Sequence, residues 1–183
     1  MRLLTGFLMM VLVTWATMAQ PIPLETGLML RKRVVVDAGS RALFDRFTTE
    51  KGIQSFFAPQ GRVELAINGA YEIYFLPEEY EGARGNEGGK ILSFIPGEMV
   101  SFSWNNPPNL KSIRNQYSWV VVLFTPLSEG QTQVDLIHLG FRAGPDWSSA
   151  LIYFDRAWAV VLGRLAYSAV NGPIDWRKPF TPE

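Results

Sequence analysis

Near the C-terminal end of the chain, Trp147, Leu151, Phe154, Trp158, Val161 and Leu165 recur at intervals of three and four residues. That is the spacing of one apolar stripe on an α-helix. Asp146, after Gly144-Pro145, is the expected N-cap, and Asn171-Gly172-Pro173 marks the stop. A helix of about 24 residues extends about 36 Å at 1.5 Å per residue. It needs an apolar surface of similar length to lie on, and the upstream segments that must supply it read as strands. The sequence therefore predicts an α+β domain in which one long terminal helix covers a sheet.

Met29 to Asp37, with Val34-Val35-Val36 at its end, reads as the first strand. Two short helices follow. Ser40 is the expected cap of the first, whose stripe is Ala42, Leu43, Phe44 and Phe47; the second runs from Glu50 to Phe57 and stops at Pro59. Arg62 to Ile67 and Ala70 to Leu76 flank Asn68-Gly69, a strong hairpin signal. After the polar stretch Pro77 to Gly89, two further hairpins are predicted: Lys90 to Ile95 with Glu98 to Trp104 across Pro96-Gly97, and Ile113 to Thr125 with Thr132 to Phe141 across Ser128-Glu129-Gly130. The result is a curved antiparallel sheet of about seven strands.

The first residues, MRLLTGFLMMVLVTWATMAQ, give one charge at Arg2, an apolar run from Leu3 to about Trp15, and small residues to Ala19. This is the pattern of an export signal, with Thr17 and Ala19 at the minus-three and minus-one positions of a cut before Gln20. The alternative is an uncleaved membrane anchor, since Leu3 to Ala19 approaches the roughly 17 residues that can span a bilayer. Residues 1–19 are thus expected to be a leader, 20–28 an extended linker, 29–172 the domain and 173–183 a tail. The location is periplasmic or secreted, or membrane-anchored if the leader stays. The chain has 17 basic and 17 acidic residues, so no overall field favours nucleic acid or an anionic surface. It has no cysteine and one histidine, which excludes disulfides and thiolate chemistry and argues against a transition-metal site or a metal cofactor.

The order of elements, with Phe44 to Phe57 as paired short helices, resembles the helix-grip plan. Asn68-Gly69-Ala70-Tyr71 resembles a glycine-led third strand, and Gly89-Lys90-Ile91 through Pro96-Gly97-Glu98 to Trp104 a segment ending in a strand-terminal tryptophan. Gly130-Gln131-Thr132 through His138-Leu139-Gly140-Phe141 and the helix from Trp147 to Leu165 resemble the closing strand and helix. Together, over roughly Val34 to Tyr167, the chain resembles the START-like, or SRPBCC, superfamily, and within it the family of the activator of heat-shock protein 90 ATPase. Two features depart from it: an export signal where family members are typically cytoplasmic, and Ala70 where a second glycine is common. The superfamily includes ligand carriers, cyclases and resistance proteins, so the resemblance implies a fold and leaves several functions open.

Alternation places His138 in phase with Thr132, Val134 and Leu136, facing inward. It is either a hydrogen-bonded core group or a polar anchor for a ligand. Tyr71, Ile73, Phe102, Trp104, Trp147, Phe154 and Trp158 also fall on inward faces, and with His138 form the candidate lining of a pocket for a small hydrophobic molecule. An enzyme of the cyclase or hydrolase type would need a second polar group converging on His138, such as Tyr71 or Arg142; no catalytic set is assigned. A protein partner docking on the sheet edge or the terminal helix is the third reading. Glu72 and Tyr74 are expected to face solvent. The acidic loop of Glu78, Glu79, Glu81 and Glu87 lacks a calcium-loop pattern. Arg31-Lys32-Arg33 is a basic cluster that is either an exposed edge or a contact with anionic lipid.

Overall fold

The computed structural model describes residues 28–178 and 180; the expected leader, and the linker as far as residue 27, lie outside them. The element order is β1 (Leu30–Val36), α1 (Ser40–Thr48), α2 (Glu50–Phe56), β2 (Gln60–Val63), β3 (Tyr71–Tyr74), β4 (Gly85–Asn86), β5 (Ile91–Ile95), β6 (Met99–Trp104), β7 (Ser118–Ser128), β8 (Gln131–Leu139) and α3 (Pro145–Asn171). No helix among the described residues is long and apolar enough to cross a membrane.

The eight strands divide into a five-stranded antiparallel sheet, ordered β1-β8-β7-β6-β5, and a three-stranded sheet, β2-β3-β4. A single bridge between Ala70 and Lys90 joins them. The predicted tight hairpin at Asn68-Gly69 is replaced by a longer turn, in which Gly69 N–H donates to the Ala66 carbonyl (2.8 Å) and Glu64 N–H to that of Ala70 (2.9 Å). The reason is competition for backbone partners. Asn68 N–H donates to the Ile91 carbonyl (2.9 Å) and Ile91 N–H to that of Gly69 (3.0 Å), so the turn is drawn across to β5. Within the expected loop Pro77 to Gly89, Gly85 and Asn86 pair with Tyr74 and Ile73 as β4.

The expected strand from Ile113 starts only at Ser118. Asn106 Nδ2 donates to the carbonyls of Ile113 (3.0 Å) and Gln116 (2.8 Å), holding 113–116 in a turn. Ser40 is the first helical residue behind Gly39 rather than a cap, and the side-chain cap appears at α2, where Thr49 Oγ1 accepts from Gly52 N–H at 3.0 Å. Asp146 likewise sits in the first turn of α3, behind Gly144 as N-cap, where its charge complements the helix dipole.

Alternation along β6, β7 and β8 buries Val100, Phe102, Val120, Val122, Phe124, Val134 and Leu136 on the face that α1, α2 and α3 cover. Helix α3 lies against β1 and α2. Its Lys32 contact is an ion pair, Nζ to Asp155 at 2.7 Å, while Arg33 turns to the other face to meet Asp135 at 2.8 Å. The cluster Arg31-Lys32-Arg33 is therefore split between two faces of the sheet. Beyond α3 the chain folds back onto α2: Ile174 N–H donates to Ser55 O (2.9 Å) and Trp176 Nε1 to Gln54 O (2.7 Å).

Candidate functional site

His138 is fully buried, and both ring nitrogens are used. Trp158 Nε1 donates to Nδ1 at 3.0 Å, and Nε2 lies 2.7 Å from Ser118 Oγ, which donates to the Trp104 carbonyl at 3.0 Å. An indole N–H can only donate, so Nδ1 is the acceptor and the single proton of the neutral ring sits on Nε2. Protons thus point one way, from Trp158 through His138 and Ser118 to Trp104 O. Burial pushes the His138 pKa down to about 3, because the imidazolium would lose its water and would place a second proton against the Trp158 N–H.

Ser118 and His138 have the separation of a nucleophile and its base, with the opposite polarity. Nε2 carries a hydrogen and cannot take the serine proton, and Ser118 is itself buried. Sequence reading placed no serine beside His138; the β7–β8 register supplies it, pairing Val120 with His138 and bringing Ser118 alongside. Neither group considered as a catalytic companion converges on the ring. The Tyr71 hydroxyl is buried without a hydrogen-bond partner among the described residues, and burial raises its pKa well above 10. Arg142 lies over the Trp147 ring at 5.4 Å and donates to Gln116 Oε1 at 2.5 Å.

Most of the aromatics on the inward faces of sheet and helix pack against one another. An open cleft of about 650 Å³ lies along the flank of α3, facing the end of β3, β4 and the 104–108 loop. Of the expected lining residues, Trp104, Phe154 and Trp158 form its wall. Trp104 and Trp158 meet with ring centroids 5.0 Å apart, and Phe154 stacks on Trp158 at 6.3 Å and 22°. Tyr71, Ile73, Phe102, His138 and Trp147 do not reach it. Tyr71 and Phe102 stack on each other at 4.1 Å, Ile73 is sealed in the core, His138 stands behind Trp158, and Trp147 turns edge-on to Phe141.

Phe75, Tyr153, Asn106, Arg114, Arg156 and Arg164 line the cleft without having been singled out. The turn at 64–70 and the short β4 bring in Phe75, which meets Trp104 edge-on at 6.4 Å. Asn86 clips the two sheets together: Nδ2 donates to Tyr71 O (2.9 Å) and Ser103 O (3.1 Å), and Oδ1 accepts from Asn105 N–H (3.0 Å). Arg114 is the strut of the opposite wall. Its guanidinium donates to the carbonyls of Asn106, Gly82 (3.0 Å) and Gly85 (2.8 Å), with Glu87 at 3.4 Å. Gly85, at φ 152°, admits no side chain there, since a Cβ would stand 2.1 Å from Ile73 O. Asn106 Oδ1 is buried in this wall with no partner among the described residues. The available signal was four-residue spacing: Ser149, Tyr153, Ala157 and Val161 form one row along α3, and Ile152, Arg156, Val160 and Arg164 the next.

This architecture, a long helix gripped by a curved antiparallel sheet with two short helices after the first strand, is a helix-grip fold. Solved structures show the same likeness. The Aha1 dimer from Colwellia psychrerythraea matches with a TM-score of 0.61 and 16% identity over 79% of this chain and 98% of that one. An HSP90 activator from Plasmodium falciparum matches with a TM-score of 0.57 and 18% identity over 81% and 99%. CalU16 from Micromonospora echinospora gives a TM-score of 0.56 and 18% identity over 80% and 76%. No protein-family model and no curated protein matches the sequence. At such identities the likeness carries the fold and not the activity.

Proposed function

We propose that this is an exported protein that binds a small hydrophobic molecule in the cleft along α3. The observation that supports it most is the cleft itself, whose volume falls within the roughly 300 to 1,000 Å³ of small-molecule sites and whose wall carries Phe75, Trp104, Tyr153, Phe154 and Trp158. The one Ser–His pair is buried and points its proton the wrong way for nucleophilic attack, which favours carriage over a hydrolase-type reaction. Among structural neighbours of the same fold, one is a protein of the dynemicin biosynthetic locus, and another is the HSP90 activator; the first bears on small-molecule work, the second on protein partners.

The test uses 1-decanol, a neutral apolar probe, and tryptophan emission from Trp104 and Trp158. A saturable change in emission is expected, and Ala157→Trp, which places bulk in the half-buried middle of the wall, should weaken it about tenfold or more, the loss of roughly 1.4 kcal/mol. No saturable response to decanol or to decanoate, or binding unaffected by Ala157→Trp, refutes the reading.

A further inference from the structure

Every charged side chain lining the cleft is an arginine: Arg114, Arg156 and Arg164. Arg114 is partly neutralised by Glu87. Arg156 and Arg164 have no carboxylate within 4.0 Å among the described residues. They stand eight residues apart on α3, about 12 Å along the axis, with Val160 between them.

Arg164 is the more unusual of the two. It is half-buried, its Nε is buried without an acceptor among the described residues, and its guanidinium lies over the rings of Trp176 at 5.1 Å and Phe180 at 5.6 Å. Aromatic faces attract a cation but offer no lone pair to its N–H groups. Burial lowers the Arg164 pKa, with no neighbouring charge compensating. A buried donor without an acceptor is destabilising, and the guanidinium keeps its other N–H groups for a ligand oxygen.

We propose that the cleft binds an amphiphile with an anionic head, a carboxylate on an apolar chain, with the chain on Phe75, Tyr153 and Val160 over Trp104, Phe154 and Trp158, and the head on Arg164, assisted by Arg156. This rests on the cleft being the binding site. A planar guanidinium matches a carboxylate through paired N–H donors. The two aromatics flanking Arg164 come from the segment after α3, so the folded-back C-terminal segment holds the head-group cation in place.

The matched probes are decanoate and 1-decanol, identical in chain length and differing in the head. At about pH 7.5 and low salt the wild-type protein is expected to bind decanoate about tenfold more tightly than decanol, as hydrogen bonds to charged groups are stronger than neutral ones. Arg164→Met, which keeps an apolar stem against Trp176 and Phe180, should reduce that ratio to within about threefold with the far-UV spectrum unchanged. Arg156→Gln, at an exposed position, is the second variant and should reduce the ratio by a smaller factor. Decanol binding as tightly as decanoate, or a ratio unmoved by both variants, overturns the anionic head and leaves hydrophobic binding standing. Neither probe binding overturns both.

Discussion

The buried imidazole makes a quantitative statement about acid stability. In the unfolded chain His138 titrates near the ordinary value of 6.5, and in the folded protein near 3. Its folded pKa is depressed, so between those values the unfolded chain holds the extra proton. Its contribution to stability is complete above about pH 6.5 and is lost as pH falls toward about 3, at about 1.4 kcal/mol per pH unit. At pH 4.5, two units below 6.5, the loss is roughly 3 kcal/mol. Carboxylates titrate in the same window, so the measurement is a difference. Urea unfolding of wild type and His138→Asn, followed by circular dichroism at several pH values between 7.5 and 4.5, isolates the histidine. The substituted side-chain amide presents an acceptor to Trp158 but does not titrate, and it removes the Nε2 hydrogen bond to Ser118, which keeps its bond to the Trp104 carbonyl. The variant should be less stable at pH 7.5 by about 1 to 3 kcal/mol, and the gap should shrink by roughly 3 kcal/mol at pH 4.5. A gap constant to within about 0.5 kcal/mol would refute the assignment of a neutral, doubly bonded ring. Because the chain has one histidine, its imidazole resonance offers an independent check, with no titration expected above about pH 5.

Trp158→Ala should destabilise by roughly 3 to 5 kcal/mol in a urea or thermal melt, since it removes a fully buried aromatic and the donor to His138. For the proposed export, N-terminal sequencing of protein from the envelope fraction should find a start at Gln20, and an intact Met1 there would overturn cleavage.

The helix and the long strands were legible because their periodicities act over many residues. The stripe from Trp147 to Leu165 is buried except for the partly buried Leu151, and β8 has Thr132, Val134, Leu136 and His138 inside. What local pattern did not show was competition for hydrogen bonds between distant segments. Asn68-Gly69 has the chemistry of a tight turn, yet Ile91 claims its backbone, and Asn106 holds back the start of β7. The lining of the cleft was only partly legible for a related reason. Inward alternation identifies buried residues, and burial is filled by neighbours, so Tyr71 and Phe102 face each other rather than a ligand. The wall that does meet solvent comes from the flank of α3 beside its apolar stripe, where Arg156 and Arg164 alternate with Ile152 and Val160.

The hydrogen bond from Trp158 to His138 also acts as a gauge on the helix. Sliding α3 by one turn would move it 5.4 Å and present Leu162 or Phe154 to the ring, neither of which can donate. Nδ1 would then sit unpaired in an aromatic core, a penalty of about 1 to 3 kcal/mol, and rotating the helix carries the same penalty. One axial and one angular setting are therefore selected out of a surface that greasy packing alone would leave tolerant. The cleft wall is carved from that helix, so its span is inherited from an internal polar contact rather than from whatever fills it. For the proposed binding, guest length and girth are therefore measured against a wall set from inside the fold.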